Sequence, residues 1–240
     1  MAVFDEKSLS MNEQFERLIA RAESLMARIE SVLPQPLSAP DWSASVAYRY
    51  RKRSTGHGTL EPVRHLGSMR LADLKEIDGQ KDKIRRNTEQ FVSGLPANNV
   101  LLTGSRGTGK SSLIKACLNE YSARGLRLLE VDKADLTDLP DIIDVVYGLP
   151  EKFIVFCDDL SFEEGEPGYK ALKSILDGSV AAATPNVLIY ATSNRRHLLP
   201  EYMTDNESYT RSDSGEVHPG EVVEEKISLS ERFGLWVSFY

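Results

Sequence analysis

The sequence predicts an α/β fold: a parallel five-stranded sheet with helices on both faces, preceded by an N-terminal helical segment. Three observations predict it. From about residue 77 onward, short apolar runs alternate with helix-spaced patterns. A glycine-rich loop joins one of those runs to the helix after it. A later, almost purely apolar run ends in two adjacent acids. Strands interleaved with helices imply βαβ units, and therefore parallel pairing with helices covering both faces.

The N-terminal segment, residues 1–34, reads as an amphipathic helix. Phe15, Leu18, Ile19, Ala22, Leu25, Met26, Ile29 and Val32 recur at helical spacing and form one apolar stripe. Ser10 followed by Glu13 predicts a capping box at its start, and Pro34 closes it. Such a stripe either docks on the protein's own core or engages a partner or neighbouring subunit. Residues 35–76 are rich in Pro, Ser, Gly and Arg with weak periodicity and read as a linker with short ordered pieces. Within it, Tyr48-Arg49-Tyr50-Arg51-Lys52-Arg53 interleaves aromatic and basic residues. That pattern fits a solvated loop, or a nucleic-acid contact in which tyrosines stack on bases.

Residues 77–240 read as the α/β core. Val100–Thr103, Leu128–Val131, Phe153–Cys157, Val187–Ala191 and Leu235–Phe239 are the five expected strands. Lys110 to about Arg124 forms a helix stopped by Gly125 at the favoured position after the last turn. Pro140 opens a short helix carrying Ile142, Ile143, Val145 and Val146. Tyr169, Leu172, Ile175 and Leu176 mark another. The polar stretch 201–226 shows no periodicity and reads as a long loop, either disordered or a partner or substrate contact.

Composition narrows the classes. The 240 residues are 41% hydrophobic and 27% charged, an ordinary globular balance. A net charge of −7 argues against a surface that grips phosphate backbones throughout. His57, His65, His197 and His218 lack ligand spacing, so no zinc site is expected. Cys117 and Cys157 sit in apolar segments and read as buried free thiols of a reducing compartment. Asp5, Glu6 and Lys7 interrupt the N-terminus and no secretory core follows, while apolar runs such as Phe153–Cys157 are strand-length. A cytoplasmic protein without membrane segments is expected.

The chemistry starts at Gly104-Ser105-Arg106-Gly107-Thr108-Gly109-Lys110-Ser111, which fits the phosphate-loop (Walker A) pattern G-x-x-x-x-G-K-[ST]. Glycines let the backbone turn tightly and approach a phosphate without a Cβ in the way. The amides from Gly107 to Ser112 would form an anion nest at a helix N-terminus, whose dipole adds to it. Lys110 would bridge the β- and γ-phosphates of ATP, and the Ser111 hydroxyl would ligate Mg²⁺. A second metal support comes from the Walker B run Phe153-Ile154-Val155-Phe156-Cys157-Asp158-Asp159, which delivers carboxylates to the sheet's carboxyl edge. Asp158 is the expected Mg²⁺ ligand and Asp159 the general base for the attacking water.

These residues resemble the AAA+ superfamily of P-loop NTPases. In Tyr190-Ala191-Thr192-Ser193-Asn194-Arg195 the chain resembles the sensor 1 strand end, which implies that Asn194 places the attacking water. Ser230-Glu231-Arg232-Phe233-Gly234 resembles the box bearing the arginine finger, implying Arg232 in that role. Ile77-Asp78-Gly79-Gln80 resembles the segment that lies beside the adenine. More narrowly, the chain resembles a bacterial family of AAA+ ATP-binding proteins, domain of unknown function 815. That likeness runs through Ala97-Asn98-Asn99-Val100-Leu101-Leu102, Glu130-Val131-Asp132-Lys133, Cys157–Phe162, Asn194–Glu201 and Ser230–Gly234.

The resemblance implies a Mg²⁺-dependent ATPase that remodels or loads a protein or nucleic-acid client. It also implies a homo-oligomeric ring or filament in which Arg232 acts in trans. Asp159 stands where many relatives carry Glu, and the helical lid with its sensor 2 arginine is expected to be missing after Tyr240. An ATP-binding switch or scaffold with little hydrolysis is therefore the alternative, and a P-loop kinase a further one.

Overall fold

The computed structural model describes residues 3–30, 37–52, 58–163, 166–177, 184–195, 198, 210–211, 217–218 and 229–240. The chain divides into two compact units, Met1–Pro36 and Leu37–Tyr240. The first holds one helix, α1 (Val3–Glu30). Its start corrects the capping-box expectation, since Ser10 and Glu13 fall inside the helix. From Gln14 to Ile29 every side chain is exposed, so the stripe is open to solvent over Phe15–Ile29, and Val32 lies outside the described residues. Pro34 lies outside the described residues.

In the second unit the elements run β1 (Ala47–Lys52), β2 (Gly58–Pro62), α2 (Asp78–Val92), β3 (Val100–Gly104), α3 (Lys110–Tyr121), β4 (Leu126–Glu130) and α4 (Leu139–Val146). They continue with β5 (Lys152–Cys157), α5 (Pro167–Leu176), β6 (Val187–Ser193), the two-residue pair β7 (Thr210–Arg211) and β8 (Val217–His218), and β9 (Leu235–Phe239). Among the described residues the main sheet has seven strands, ordered β2-β1-β4-β5-β6-β3-β9. All neighbours are parallel except the β1–β2 hairpin.

Seven strands correct the expected five, and the two extra ones come from the segment read as a linker. The reason lies in the alternation of β1. Ala47, Tyr48 and Tyr50 are buried while Arg49, Arg51 and Lys52 are exposed. Period-two burial is the signature of a strand, and aromatic residues suit a half-buried pleat. The Tyr48 hydroxyl donates to the Asp41 carbonyl at 2.6 Å and the Tyr50 hydroxyl to Asp138 at 2.9 Å. Both rings are therefore core residues, which corrects the reading of this run as a solvated loop and equally the alternative of base-stacking tyrosines. Arg53, the end of that basic run, lies outside the described residues, as does most of 201–226.

Two apolar layers sandwich the sheet. On one face α4 and α5 bring Leu139, Ile142, Val146 and Leu172 against Leu129, Phe153, Val155 and Cys157. On the other, α2 and α3 bring Ile84, Phe91, Leu113, Ile114 and Cys117 against Val100, Leu102, Ile154 and Phe156. Successive residues of β5 thus face opposite layers, as a strand covered on both faces must. A buried polar knot also fixes α2 to the sheet. Asn87 donates to Tyr190 Oη at 3.0 Å and to the Asn98 carbonyl at 2.8 Å, and accepts from Asn98 N–H at 2.9 Å. Asn98 lies just upstream of β3, so this knot sets where that strand enters. No helix among the described residues is long and apolar enough to cross a membrane.

Burial pushes the thiols of Cys117 and Cys157 up to about 12. The thiolate is the reactive form, so at pH 8 roughly one thiol in ten thousand is available. Native protein is therefore expected to leave a disulfide-exchange reagent unconsumed, with two equivalents consumed once denaturant is added. Rapid reaction of either cysteine in the native state would show that a face of the sheet opens.

Candidate functional site

The register of the parallel strands builds the site. Thr103 pairs with Ser193, and Cys157 with Ala191, so β3, β6 and β5 end together at one edge. The phosphate loop leaves β3, the acid pair leaves β5, and Asn194 follows β6. Gly104 needs its glycine doubly: its φ is +143°, and a Cβ there would collide with the Phe239 carbonyl oxygen on β9. Gly107 (φ 84°) and Gly109 (φ 94°) take the left-handed turns, and Gly109 caps α3.

Lys110 is 6% exposed, with its ammonium turned back into the loop. It donates to the carbonyls of Gly104 at 2.6 Å and Ser105 at 2.7 Å, and to Asn194 Oδ1 at 3.0 Å. Burial pulls its pKa below the usual lysine range, opposed by the carboxylates of Asp159 and Asp158. Thr108 Oγ1 donates to the Ser105 carbonyl at 2.8 Å and closes the loop on itself.

Across the cleft, Asp158 Oδ1 accepts from Ser111 Oγ at 2.6 Å and from Thr192 Oγ1 at 2.6 Å. Thr192 Oγ1 in turn accepts from the Asp159 N–H at 2.9 Å. Asp159 is held in the left-handed region at φ 53°, a conformation costing on the order of 1 kcal/mol outside glycine and easiest for Asp or Asn. Its Oδ1 accepts from Asn194 Nδ2 at 2.6 Å. One amide thus touches both the loop lysine and the second acid. Arg106, Gly107, Lys110, Ser111, Asp158 and Asn194 share a cleft of about 300 Å³.

The chemistry of the donors suits a magnesium ion. Ser111 Oγ and Asp158 Oδ1 are hard oxygens held together beside the glycine-rich loop, and Mg²⁺ takes few protein ligands, completing its shell with water and phosphate oxygens.

The structure separates Arg232 from this cluster. Leu235 pairs with Val100 at the amino end of β3, while Gly104 pairs with Phe239 at the carboxyl end. Arg232, preceding β9, therefore stands at the opposite sheet edge, about 17 Å away along strands rising about 3.3 Å per residue. There its Nε forms an ion pair with Asp177 Oδ1 at the end of α5. Ile77 of the upstream segment does approach the loop: its Cδ1 lies 3.7 Å from where a Gly109 Cβ would stand. Close by in the chain, Gln80 donates to the Ser238 carbonyl at 3.2 Å.

Thr192 is the site residue that the sequence reading passed over. A hydroxyl in a strand buried on both faces is the signal that could have found it, since such a group must bond to something. A second cleft of about 470 Å³, lined by Arg49, Lys52, Glu130, Asp132 and Asp158, adjoins the first through Asp158. Its cations are paired, Arg49 with Glu130 at 2.8 Å and Lys52 with Asp138 at 2.8 Å.

A family model described as Protein of unknown function (DUF815) matches residues 43–240. The chain is similar to the replication factor C large subunit of Sulfolobus acidocaldarius, 34% identical over 88 residues, which is 35% of this chain and 20% of that protein. It spans about a fifth of that relative. Among solved structures, AMPPCP-bound DnaA from Aquifex aeolicus is 18% identical with a TM-score of 0.44, covering 72% of this chain and 51% of that one. The Holliday junction branch migration motor RuvB from Thermotoga maritima is 17% identical with a TM-score of 0.45, covering 71% and 47%. DnaI is 21% identical with a TM-score of 0.42, covering 71% and 87%.

Two loop glycines are expected to respond differently to alanine. Gly104→Ala meets both a forbidden backbone and the β9 carbonyl, and should cost about 2–4 kcal/mol in denaturant unfolding. Gly107→Ala meets nothing within 4 Å. It carries only the left-handed strain, about 1–2 kcal/mol. Equal losses would mean that the β3–β9 contact does not constrain the loop.

Proposed function

We propose, for a chain that belongs to the family described as Protein of unknown function (DUF815), a Mg²⁺-dependent ATPase of the AAA+ type. The observation that carries it is the convergence of the Lys110 ammonium, the Ser111–Asp158 pair and the Asp159–Asn194 pair on one cleft at a glycine-rich helix N-terminus. The amides of Gly104–Ser112 would receive the phosphates, and Lys110 would exchange its two loop carbonyls for β- and γ-phosphate oxygens. Ser111 and Asp158 would hold Mg²⁺, which when bound neutralises charge building on the phosphate oxygens.

Asp159 would orient a water toward the γ-phosphorus and take its proton as the new O–P bond forms. The bond from the γ-phosphorus to the β–γ bridging oxygen breaks, and ADP leaves. A positioned general base of this kind is worth about 10²–10⁴ in rate. Asn194, bonded to both Lys110 and Asp159, would report the γ-phosphate to the water-activating acid. Arg232 stands at the far sheet edge, so as a finger it would serve a neighbouring subunit, worth about 10³–10⁵ in rate. A head-to-tail contact of that kind builds a ring or a filament. The work done on a protein or nucleic-acid client would follow from subunit rearrangement.

One observation favours a second reading, an ATP-dependent switch with slow turnover. Asp159 is a short carboxylate whose N–H and Oδ1 are both already engaged, by Thr192 and Asn194.

Titration calorimetry with ATP and magnesium chloride should give saturable binding that Lys110→Ala weakens at least about 100-fold. Asp159→Asn should keep binding and lower turnover at least about 100-fold. Absence of any heat with wild-type protein sinks both readings, and binding with no turnover selects the switch. For the finger, mixing Lys110→Ala with Arg232→Ala protein should restore activity that neither has alone. Failure to complement, with turnover per subunit independent of protein concentration, rules out action in trans.

A further inference from the structure

The exposed stripe of α1 repeats in heptads. Phe15, Ala22 and Ile29 fall seven residues apart at one position, Leu18 and Leu25 at a second, Ile19 and Met26 at a third. The large ones are open to solvent, Phe15 by 62%, Leu18 by 64%, Leu25 by 50%, Met26 by 62% and Ile29 by 59%. At 3.6 residues per turn these rows span an arc of about 100°. An apolar stripe of this kind along a helix demands a cover.

The charges beside the stripe say what the cover is. The row flanking it on one side carries Glu16 and Glu23, and the row on the other side carries Arg21 and Arg28. Two copies of α1 laid parallel and in register bring the glutamate flank of one against the arginine flank of the next. Laid antiparallel, they would oppose glutamate to glutamate and arginine to arginine. An anionic lipid surface would repel the glutamate row about as much as it attracts the arginine row, leaving little of the net attraction that such binding needs. A stripe three rows wide also exceeds the two-row seam of a two-stranded coil.

We propose that α1 is a self-association element, in which copies of this chain pack their α1 helices parallel and in register around the Phe15–Ile29 stripe, more than two to a bundle. The proposal stands apart from the nucleotide reading, because it involves neither the phosphate loop nor Arg232.

The test uses the full chain without nucleotide. Sedimentation equilibrium at micromolar concentration should give a mass more than twice the 26.8 kDa of one chain. The double variant Leu18→Glu/Leu25→Glu should sediment as a monomer with its ATP affinity unchanged within twofold. Its altered side chains are exposed, so loss of the core fold is not expected, and circular dichroism checks that. Phe15→Cys and Ile29→Cys sit at opposite ends of the stripe and should each, alone, oxidise to a disulfide-linked dimer. The proposal is overturned by a monomeric wild type, by an unchanged mass in the double variant, or by cross-links that form only when the two cysteine variants are mixed. Capture of a monomeric wild type on vesicles of anionic phospholipid would overturn it in favour of a membrane.

Discussion

A buried ammonium sets the terms for everything around the phosphate loop. Lys110 has little water to hydrate it, and an ion in that position must find oxygens or lose its proton. Two loop carbonyls and the Asn194 amide oxygen supply them directly, and two carboxylates across the cleft supply the field. Those carboxylates come from a different strand, and their position is only as good as the register of the sheet. The sandwich of apolar layers on either face is thus the condition for a charge to persist at its edge.

The strand that makes the arrangement cooperative is β6, inserted between the loop strand β3 and the acid strand β5. A direct β3–β5 pairing would have put loop and acids side by side with nothing between. Instead Thr192 fixes Asp158 and the Asp159 backbone, and Asn194, two residues on, touches Lys110 and Asp159 together. Moving Lys110 onto a phosphate would free the Asn194 oxygen, and rotation of that amide would change what Asp159 is bonded to. A strand terminus can carry such a message because its backbone is clamped on both sides while its end residues are not.

Much of this was legible in the sequence. Each of the five expected strands is present to within about two residues, because buried parallel strands are written as short apolar runs between glycine and proline stops. The glycine turn after β3 and the acid pair after β5 were legible as local structure, because glycine at positive φ and carboxylates at a strand end leave little choice of residue. The β1–β2 hairpin was not. Its Tyr48 and Tyr50 alternate with arginines over too few residues to separate a strand from a solvated basic loop, and what decides is a pairing partner, β4, about eighty residues away. Thr192 was overlooked for a similar reason: in sequence it is one hydroxyl in an apolar strand, and its meaning depends on Asp158 arriving from the neighbouring strand. The helix start failed on local grounds, since a plausible cap at Ser10 was outweighed by a helix that continues upstream to Val3.

The two intermolecular proposals differ in kind, and the difference has consequences. A finger contact through Arg232 must break its ion pair with Asp177 and be geometrically strict, because a transferring phosphoryl group is stabilised only by a charge held close to it. Contacts so constrained are poor at generating affinity, since every side chain immobilised costs conformational entropy. A heptad stripe is the opposite: tolerant of small shifts, driven by apolar burial, and indifferent to nucleotide. Joined in one chain, the stripe would raise the effective concentration of neighbouring cores, and the finger contact could stay weak enough to form and break with each turnover. A chain with only the finger would need high concentration to assemble, and one with only the stripe would assemble without communicating. The two proposed contacts are also separate in sequence, the stripe before the Gly104–Ser111 loop and Arg232 after it, so each could be altered without touching the other.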